Sequence, residues 1–217
     1  MRPIITSVGP LVTANASNIA HTQTPTSGTA LTLNGSLVTG GAAILDKPRQ
    51  VLLTYGSEGS ARTLVVTGTT FGGQPATETL AIPSGTVSTV ATVLDYTTVT
   101  SLVPLGGGWT TNVTVGTNTV AGSPWIFLDS WAMPQISLQV NVTGTVNYTI
   151  QQTLDDPNSP WTPVTPVNVT WVNSPDAAVV GATSSAQSNY AYVPSYTRVV
   201  LNSGSGSITY TVIQADA

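Results

Sequence analysis

Paired carboxylates are the first residues whose type and spacing could support chemistry. The chain has nine acidic residues, and the only adjacent pair is Asp155 and Asp156, followed closely by Asn158. Their oxygens could bind calcium, which accepts flexible geometry, and two carboxylates can serve a glycosidase as acid and base. A third interpretation is a turn, because Asp and Asn bond their own backbone and Pro157 fixes φ. Neighbouring residues on an extended chain point in different directions. That favours the turn, with Asp155, Asp156 and Asn158 as weak calcium candidates.

Other catalytic chemistry finds little support in the sequence. His21 is the single histidine, and it lies in a Thr/Asn/Gln-rich segment without a nearby carboxylate. A Ser-His-Asp relay needs a histidine held by a third group, so we interpret His21 as an exposed polar residue. There is no cysteine to act as a thiolate or zinc ligand. The glycines at 72–73 and 106–108 lack the Lys-Ser/Thr of a phosphate loop. We expect no enzyme activity and no cofactor.

Tryptophan is unusually common for a chain with only two phenylalanines. Its five tryptophans are Trp109, Trp125, Trp131, Trp161 and Trp171. Aromatic side chains on β loops can stack on sugars, which makes a carbohydrate-binding module one interpretation. Tryptophan is also favoured at packed interfaces between proteins, and we favour this second interpretation. The predicted interface residues are Trp125, Trp131, Trp161 and Trp171.

Charge is scarce along the whole chain. Charged residues make up 6% of it and hydrophobic residues 41%, with a net charge of −4, whereas an ordinary soluble domain is about 25% charged. Of the five basic residues, only Lys47 and Arg49 lie close in sequence, which argues against nucleic-acid binding. No apolar run is long enough to span a membrane. The first residues lack a signal-peptide pattern, so we expect use without passage through a membrane.

Apolar and polar residues alternate with a period of two along much of the chain, and this alternation predicts β-strands. Two alternating runs, 136–142 and 146–151, are joined by a short link containing Gly144. This spacing predicts a β-hairpin, and residues 198–213 predict a second one. Further strands are predicted at 51–55, 63–67, 78–82, 88–93, 97–102 and 111–115. Helix is expected only as a short turn within 14–21.

These elements predict an all-β fold of antiparallel β-sandwich or jelly-roll-like domains. We expect two domains and an extended N-terminal arm. The arm covers residues 1–36, the N-terminal β domain 37–124 and the C-terminal β-sandwich domain 125–217. The second boundary is placed where the strand pattern breaks, at Ser123 and Pro124. A single large sandwich is the alternative, because β sandwiches reach this size.

The strands and turns together resemble a known class of protein. The residues that carry the resemblance are 18–25, 31–35, 48–51, 61–69, 73–80, 137–158 and 198–214. They are similar to small structural proteins of tailed double-stranded DNA bacteriophages, over nearly the whole chain. Because the shared pattern consists of strands and turns, it transfers no site residues.

The resemblance implies a function without catalysis. Virion proteins of this kind are often head decoration, or cement, proteins, which bind the mature capsid surface and frequently form trimers. It therefore implies the outer capsid surface as location, the major capsid protein as partner, and a homo-oligomer with a trimer favoured. The alternatives are a tail, head–tail junction or appendage component of the virion, or a carbohydrate-binding β module. We expect no nucleic-acid or membrane partner.

Overall fold

The fold is all-β, as the alternating sequence pattern predicts. The computed structural model describes residues 3–86, 88–129 and 135–215, and these form large antiparallel sheets. The chain divides into two compact units: unit 1 is Met1–Leu11 with Thr119–Ala217, and unit 2 is Val12–Asn118. These divisions differ from the predicted boundaries after residues 36 and 124. Residues 4–8 and 15–23, assigned to an arm by the sequence, lie in strands.

The strands of the described residues follow one another with few other elements. They are β1 Ile4–Val8, β2 Asn15–Gln23, β3 Val38–Thr39, β4 Ala42–Tyr55, β5 Arg62–Thr69, β6 Pro75–Ile82, β7 Ser88–Ala91, β8 Tyr96–Leu105, β9 Val113–Gly122, β10 Ile126–Phe127, β11 Ile136–Thr143, β12 Val146–Thr153, β13 Val172–Asn173, β14 Val180–Ala182, β15 Ala186–Tyr190, β16 Tyr196–Gly204 and β17 Ser207–Gln214. Short 3-10 turns occupy Phe71–Gly73, Pro166–Asn168 and Ala177–Val179. Within the described ranges, no helix has the length and apolarity needed to cross a membrane.

Unit 1 is built as two sheets that share one core. The first sheet has the order β1-β17-β11-β15, and the second contains β12 between β13 and β16, with β10 also beside β16. Alternate residues of each strand face the space between the sheets. The buried residues there include Leu138 and Val140 on β11, Tyr210 and Val212 on β17, Tyr148 and Ile150 on β12, and Val199 and Leu201 on β16. Two antiparallel sheets enclosing one core form a β-sandwich arrangement.

The two hairpins predicted from the sequence are wrong, although their strands are correct. Consecutive strands β11 and β12 lie in different sheets, and so do β16 and β17. Instead, β11 pairs with β17 from Ile136 opposite Gln214 to Thr143 opposite Ser207, and β12 pairs with β16. Each link is therefore an arch that carries the chain from one sheet to the other. The error has a physical cause, because arches and hairpins join strands with the same alternation.

Glycines allow the two arches to stack closely. Gly144 has a φ of 80°, and a Cβ built on it would lie 3.1 Å from the Gly206 Cα. The Gly206 N–H donates to the Thr145 carbonyl at 2.9 Å. A side chain at Gly206 would collide with the backbone of Thr143 and Gly144. The close approach of these backbones thus requires glycine.

Unit 2 has a separate core around a long strand. Strand β4 pairs with β3, β7 and β8, and β5 lies between β8 and β6. The strands predicted at 63–67 and 78–82 lie in β5 and β6, which pair from Arg62 opposite Ile82 to Thr69 opposite Pro75. Buried residues such as Leu53, Leu64 and Leu102 fill the core. The predicted helical turn within 14–21 is wrong, because that segment forms β2 and pairs with β9.

One buried arginine holds both ends of unit 2. Arg49 is only 1% exposed, and its Nη1 donates to the carbonyl of Val12 at 2.8 Å and to Asp46 Oδ1 at 3.0 Å. Its Nη2 donates to the carbonyl of Asn118. Asp46 Oδ2 also accepts the N–H of Val12 at 2.8 Å. Val12 and Asn118 are the first and last residues of this unit, so Arg49 fixes both points at which the chain enters and leaves it.

Candidate functional site

An aromatic cluster lies at one end of the second sheet of unit 1. Strand register brings it together: Phe127 on β10 is opposite Tyr196 on β16, and Tyr196 is opposite Thr153 at the end of β12. Trp125 precedes β10, and Trp171 immediately precedes β13, which pairs with β12. We call Trp125, Phe127, Trp171 and Tyr196 the aromatic end.

The four rings of the aromatic end pack edge to face. Ring centroids are 5.0 Å apart for Trp125 and Trp171, 6.1 Å for Trp125 and Tyr196, and 5.5 Å for Phe127 and Tyr196. The ring planes of each pair are inclined at between 62° and 71°. Such T-shaped pairs contribute about 0.5–1.5 kcal/mol each beyond area burial. The cluster is thus a fixed surface feature.

A buried cation, Arg198, packs against one ring of the cluster. The guanidinium carbon of Arg198 lies 4.2 Å from the ring centroid of Trp171. Its Nε and Nη2 donate to Gln151 Oε1 at 3.0 and 2.8 Å. A cation over an indole face is attracted by the ring quadrupole. Arg198 therefore holds Trp171 in place, since the neighbouring strand fixes the guanidinium.

A closed loop follows the end of β12 and carries the most exposed of the tryptophans that the structure describes. We define the Trp161 loop as residues 156–164, because the Val164 N–H donates to the Asp156 carbonyl at 3.3 Å and closes it. Pro157, Pro160 and Pro163 fix φ at three of its positions. Trp161 is 88% exposed at this site. The loop therefore holds a large apolar side chain in solvent.

Asp155 and Asp156 hold this loop through hydrogen bonds. Asp155 Oδ2 accepts the Thr170 N–H at 2.6 Å, and Asp156 Oδ1 accepts the Asn158 N–H at 2.8 Å. Asn158 Nδ2 in turn donates to the Tyr196 hydroxyl at 2.7 Å, and burial raises the pKa of Tyr196. The Asp156–Asn158 contact is typical of a turn, whereas the other two contacts join residues distant in sequence. Within the described residues, no group of three or more His, Cys, Asp or Glu side chains could hold a metal ion.

Exposed apolar side chains lie within the aromatic end and next to its strand ends in sequence. Phe127 of the aromatic end is 55% exposed. Leu154, which follows the end of β12, is 71% exposed, and Val172, which follows Trp171, is 56% exposed. Isolated exposed apolar residues are normal, but a group of them with an exposed tryptophan marks an interaction surface. The arrangement is suited to binding by apolar contact.

A second surface feature is a shallow depression on the outer face of the first sheet. It has a volume of about 300 Å³, and Gln139, Gln187 and Thr211 contribute to its lining. Gln187 Nε2 donates to Gln139 Oε1 at 3.3 Å. The lining holds no charged or aromatic side chain, so it offers hydrogen bonds without an acid, a base or a nucleophilic thiol.

The structure places the predicted site residues in different environments. Trp125 and Trp171 are brought into contact, whereas Trp161 stands on its own loop. Trp131 lies outside the described residues. Trp109 is buried in the core of unit 2, and His21 is exposed on β2.

Sequence reasoning missed three members of the site. Phe127, Tyr196 and Arg198 come from strands whose pairing the sequence did not reveal. One usable signal was present: Trp125 and Phe127 are two residues apart, a spacing that places side chains on the same face of a strand. Tyr196 and Arg198 share the same spacing on β16.

No protein-family model matches the chain, and a search of curated proteins finds no match.

Proposed function

We propose that this protein is a non-enzymatic structural component of a tailed-phage virion, namely a decoration or cement protein that binds and stabilises the outer head shell. Its partners in this role are the major capsid protein and other copies of itself, with a trimer favoured. The observation that carries the proposal is the aromatic end of unit 1 with the exposed Trp161 loop. The resemblance of strands and turns to phage virion proteins supports the same conclusion.

The physical demands of such a role fit the molecule. A cement protein must bind many equivalent sites without chemistry, which calls for a rigid frame and an exposed apolar surface. Unit 1 supplies both, because its sandwich core fixes the strands that hold Trp125, Phe127 and Trp171. A sparse surface charge also suits close contact, since interface cores are depleted of charged residues.

The test is a cryo-EM reconstruction of the particle that carries this protein. Density at regular lattice positions on the outer head, in hundreds of copies, is the expected result. Density confined to the neck, tail or fibres, at about six or twelve copies as closed rings require, would instead place the protein in the tail or head–tail junction.

A carbohydrate-binding module is the second candidate, and the exposure of Trp161 is the observation that favours it. An indole that is 88% exposed to solvent can stack on a sugar ring. A glycan array with and without a chelator tests this role and the weak calcium candidates Asp155, Asp156 and Asn158 together. Binding lost on chelation would support a calcium-dependent site, and no binding in either condition would remove the candidate.

A further inference from the structure

The Trp161 loop presents an anchor that the described part of the chain leaves uncovered. Trp161 is 88% exposed, although indole is a large and mostly apolar side chain. Tryptophan is among the residues that dominate binding energy at protein interfaces. Because the indole is almost fully hydrated in the free chain, its burial by a partner would contribute a large favourable free energy to binding.

The loop is ordered before any partner arrives. The Asp156 carbonyl and the Val164 N–H close it, and Ser159 Oγ accepts the Trp161 N–H at 3.4 Å. The prolines at 157, 160 and 163 restrict the unbound chain further. Binding to a pre-ordered loop avoids much of the entropy cost of ordering it.

Charge around the loop indicates the chemistry of the partner. Asp155 and Asp156 are the only charged residues in 154–171. The contacts that brace the loop engage Asp155 Oδ2 and Asp156 Oδ1, one oxygen of each carboxylate. A second copy meeting this surface about a two-fold axis would place acid against acid, which is unfavourable. A basic surface would be attracted.

We propose that the Trp161 loop docks on a partner protein whose surface offers an apolar pocket for the indole, bordered by lysine or arginine side chains that pair with Asp155 and Asp156. The inference rests on the proposed function, in which that partner is the capsid shell. Beyond that function, the inference names Trp161 as the contact residue, an apolar pocket as its binding site on the partner, and positive charge at the border of that pocket.

The experiment uses phage heads assembled without this protein as the probe, and it measures binding of the purified full chain by co-sedimentation. We expect Trp161→Ala to weaken binding about thirty-fold, as for a central tryptophan anchor. The double variant Asp155→Asn with Asp156→Asn keeps oxygen acceptors for Thr170 and Asn158. We expect it to bind more weakly than the natural chain and to lose most of the salt dependence of binding.

Val93→Ala is the matched control, because Val93 is an apolar side chain that is 72% exposed and belongs to unit 2, outside the Trp161 loop. All variants should retain the natural thermal midpoint, since the substituted side chains lie outside both cores. Partial recovery of affinity in Trp161→Phe would further support an apolar pocket.

Each other outcome overturns a stated part. If the natural chain binds heads and Trp161→Ala binds equally well, the inference fails while the proposed function stands. If Trp161→Ala weakens binding to heads but neither the double Asp variant nor added salt does, the basic border is wrong. Sedimentation of the chain alone then tests for self-association, and a glycan array tests for sugar binding. If the natural chain does not bind heads, the inference falls together with the proposed function.

Discussion

At the scale of single residues, buried hydroxyl and charged groups are held by specific partners. In unit 1, Thr197 Oγ1 lies 3.0 Å from the Tyr190 hydroxyl and 2.8 Å from the Tyr210 hydroxyl, and it donates to the Gln151 carbonyl at 3.1 Å. Burial raises the pKa of Tyr190 to about 12 and that of Tyr210 well above its ordinary value. In the folded chain both phenols therefore remain neutral at pH values at which they would ionise in the unfolded chain.

This network predicts a loss of stability at alkaline pH. Since the folded pKa values are raised, the stabilisation is fully present below about pH 10, the ordinary tyrosine value, and is lost as pH rises towards the folded values. We expect the free energy of unfolding to fall by up to about 1.4 kcal/mol per pH unit for each tyrosine. Urea titrations between about pH 9 and 12 measure this. A double Tyr190→Phe and Tyr210→Phe variant should show a shallower fall, and an unchanged slope would contradict the assignment.

Arg49 in unit 2 provides a second residue-level prediction. Arg49→Ala leaves Asp46 and the carbonyls of Val12 and Asn118 without their buried donor. We expect it to lower the free energy of unfolding by about 3–5 kcal/mol, as for a broken buried ion pair. Because the same side chain fixes both ends of unit 2, limited proteolysis should also accelerate near residues 12 and 118. Lys47→Ala is the control, with an expected change within about 0.5 kcal/mol.

At the scale of elements, the stacked arches decide the architecture of unit 1. Two arches with close glycine contacts place β11 on β17 and β12 on β16. The β12–β16 pairing places Tyr196 opposite Thr153, and β10 pairs with the same strand β16, which places Phe127 beside Tyr196 in the aromatic end. The glycines that allow the arches to stack therefore also contribute to the position of the aromatic end, through the strands that the arches join.

The contact between the arches predicts intolerance of a side chain at Gly206. In Gly206→Ala the new methyl group would meet the backbone of Thr143 and Gly144, which cannot move as a flexible side chain would. We expect destabilisation of at least about 1–3 kcal/mol, the range for overpacking, measured by thermal unfolding. Gly59→Ala is the matched control, because open space surrounds that position. Equal midpoints for the two variants would contradict the stacked arrangement.

At the scale of the whole molecule, apolar packing and neutral hydrogen bonds carry the fold. Charged residues are only 6% of the chain, and each unit has its own apolar core. The ion pairs seen at Arg49–Asp46 and Arg62–Glu58 are largely buried, and buried pairs are screened little by salt.

This composition predicts a stability that is almost independent of ionic strength. We expect the free energy of unfolding to change by less than about 1 kcal/mol between roughly 50 and 500 mM NaCl, because exposed ion pairs contribute little. Urea unfolding at both salt concentrations measures the change, and a shift of several kcal/mol would contradict the prediction.

Solubility should follow net charge more strongly than stability does. The sequence pI is about 4.5, and near that pH the already sparse charges balance. Light scattering between about pH 4 and 8 should show the strongest association near the pI, because repulsion between molecules is weakest there. A minimum of solubility at neutral pH would contradict this expectation.

The class of fold and most of the strands follow from the amino-acid sequence alone. Alternation along 136–142 and 207–213 reports which faces are buried, because side chains of a strand point to opposite sides in turn. Local chemistry also accounts for the Asp156–Asn158 contact, which joins residues two positions apart, whereas Asp155 and Asn158 bond the distant residues Thr170 and Tyr196.

The pairing of the strands and the contacts between the aromatic residues depend on the folded structure. Strand β1 pairs with β17 at the other end of the chain, and Trp125 meets Trp171 through strands that are distant in sequence. An arch and a hairpin have the same alternation and the same glycine-rich link, so periodicity cannot distinguish them. Pairing depends on the packing of whole sheets around a shared core, and that free energy belongs to no single segment.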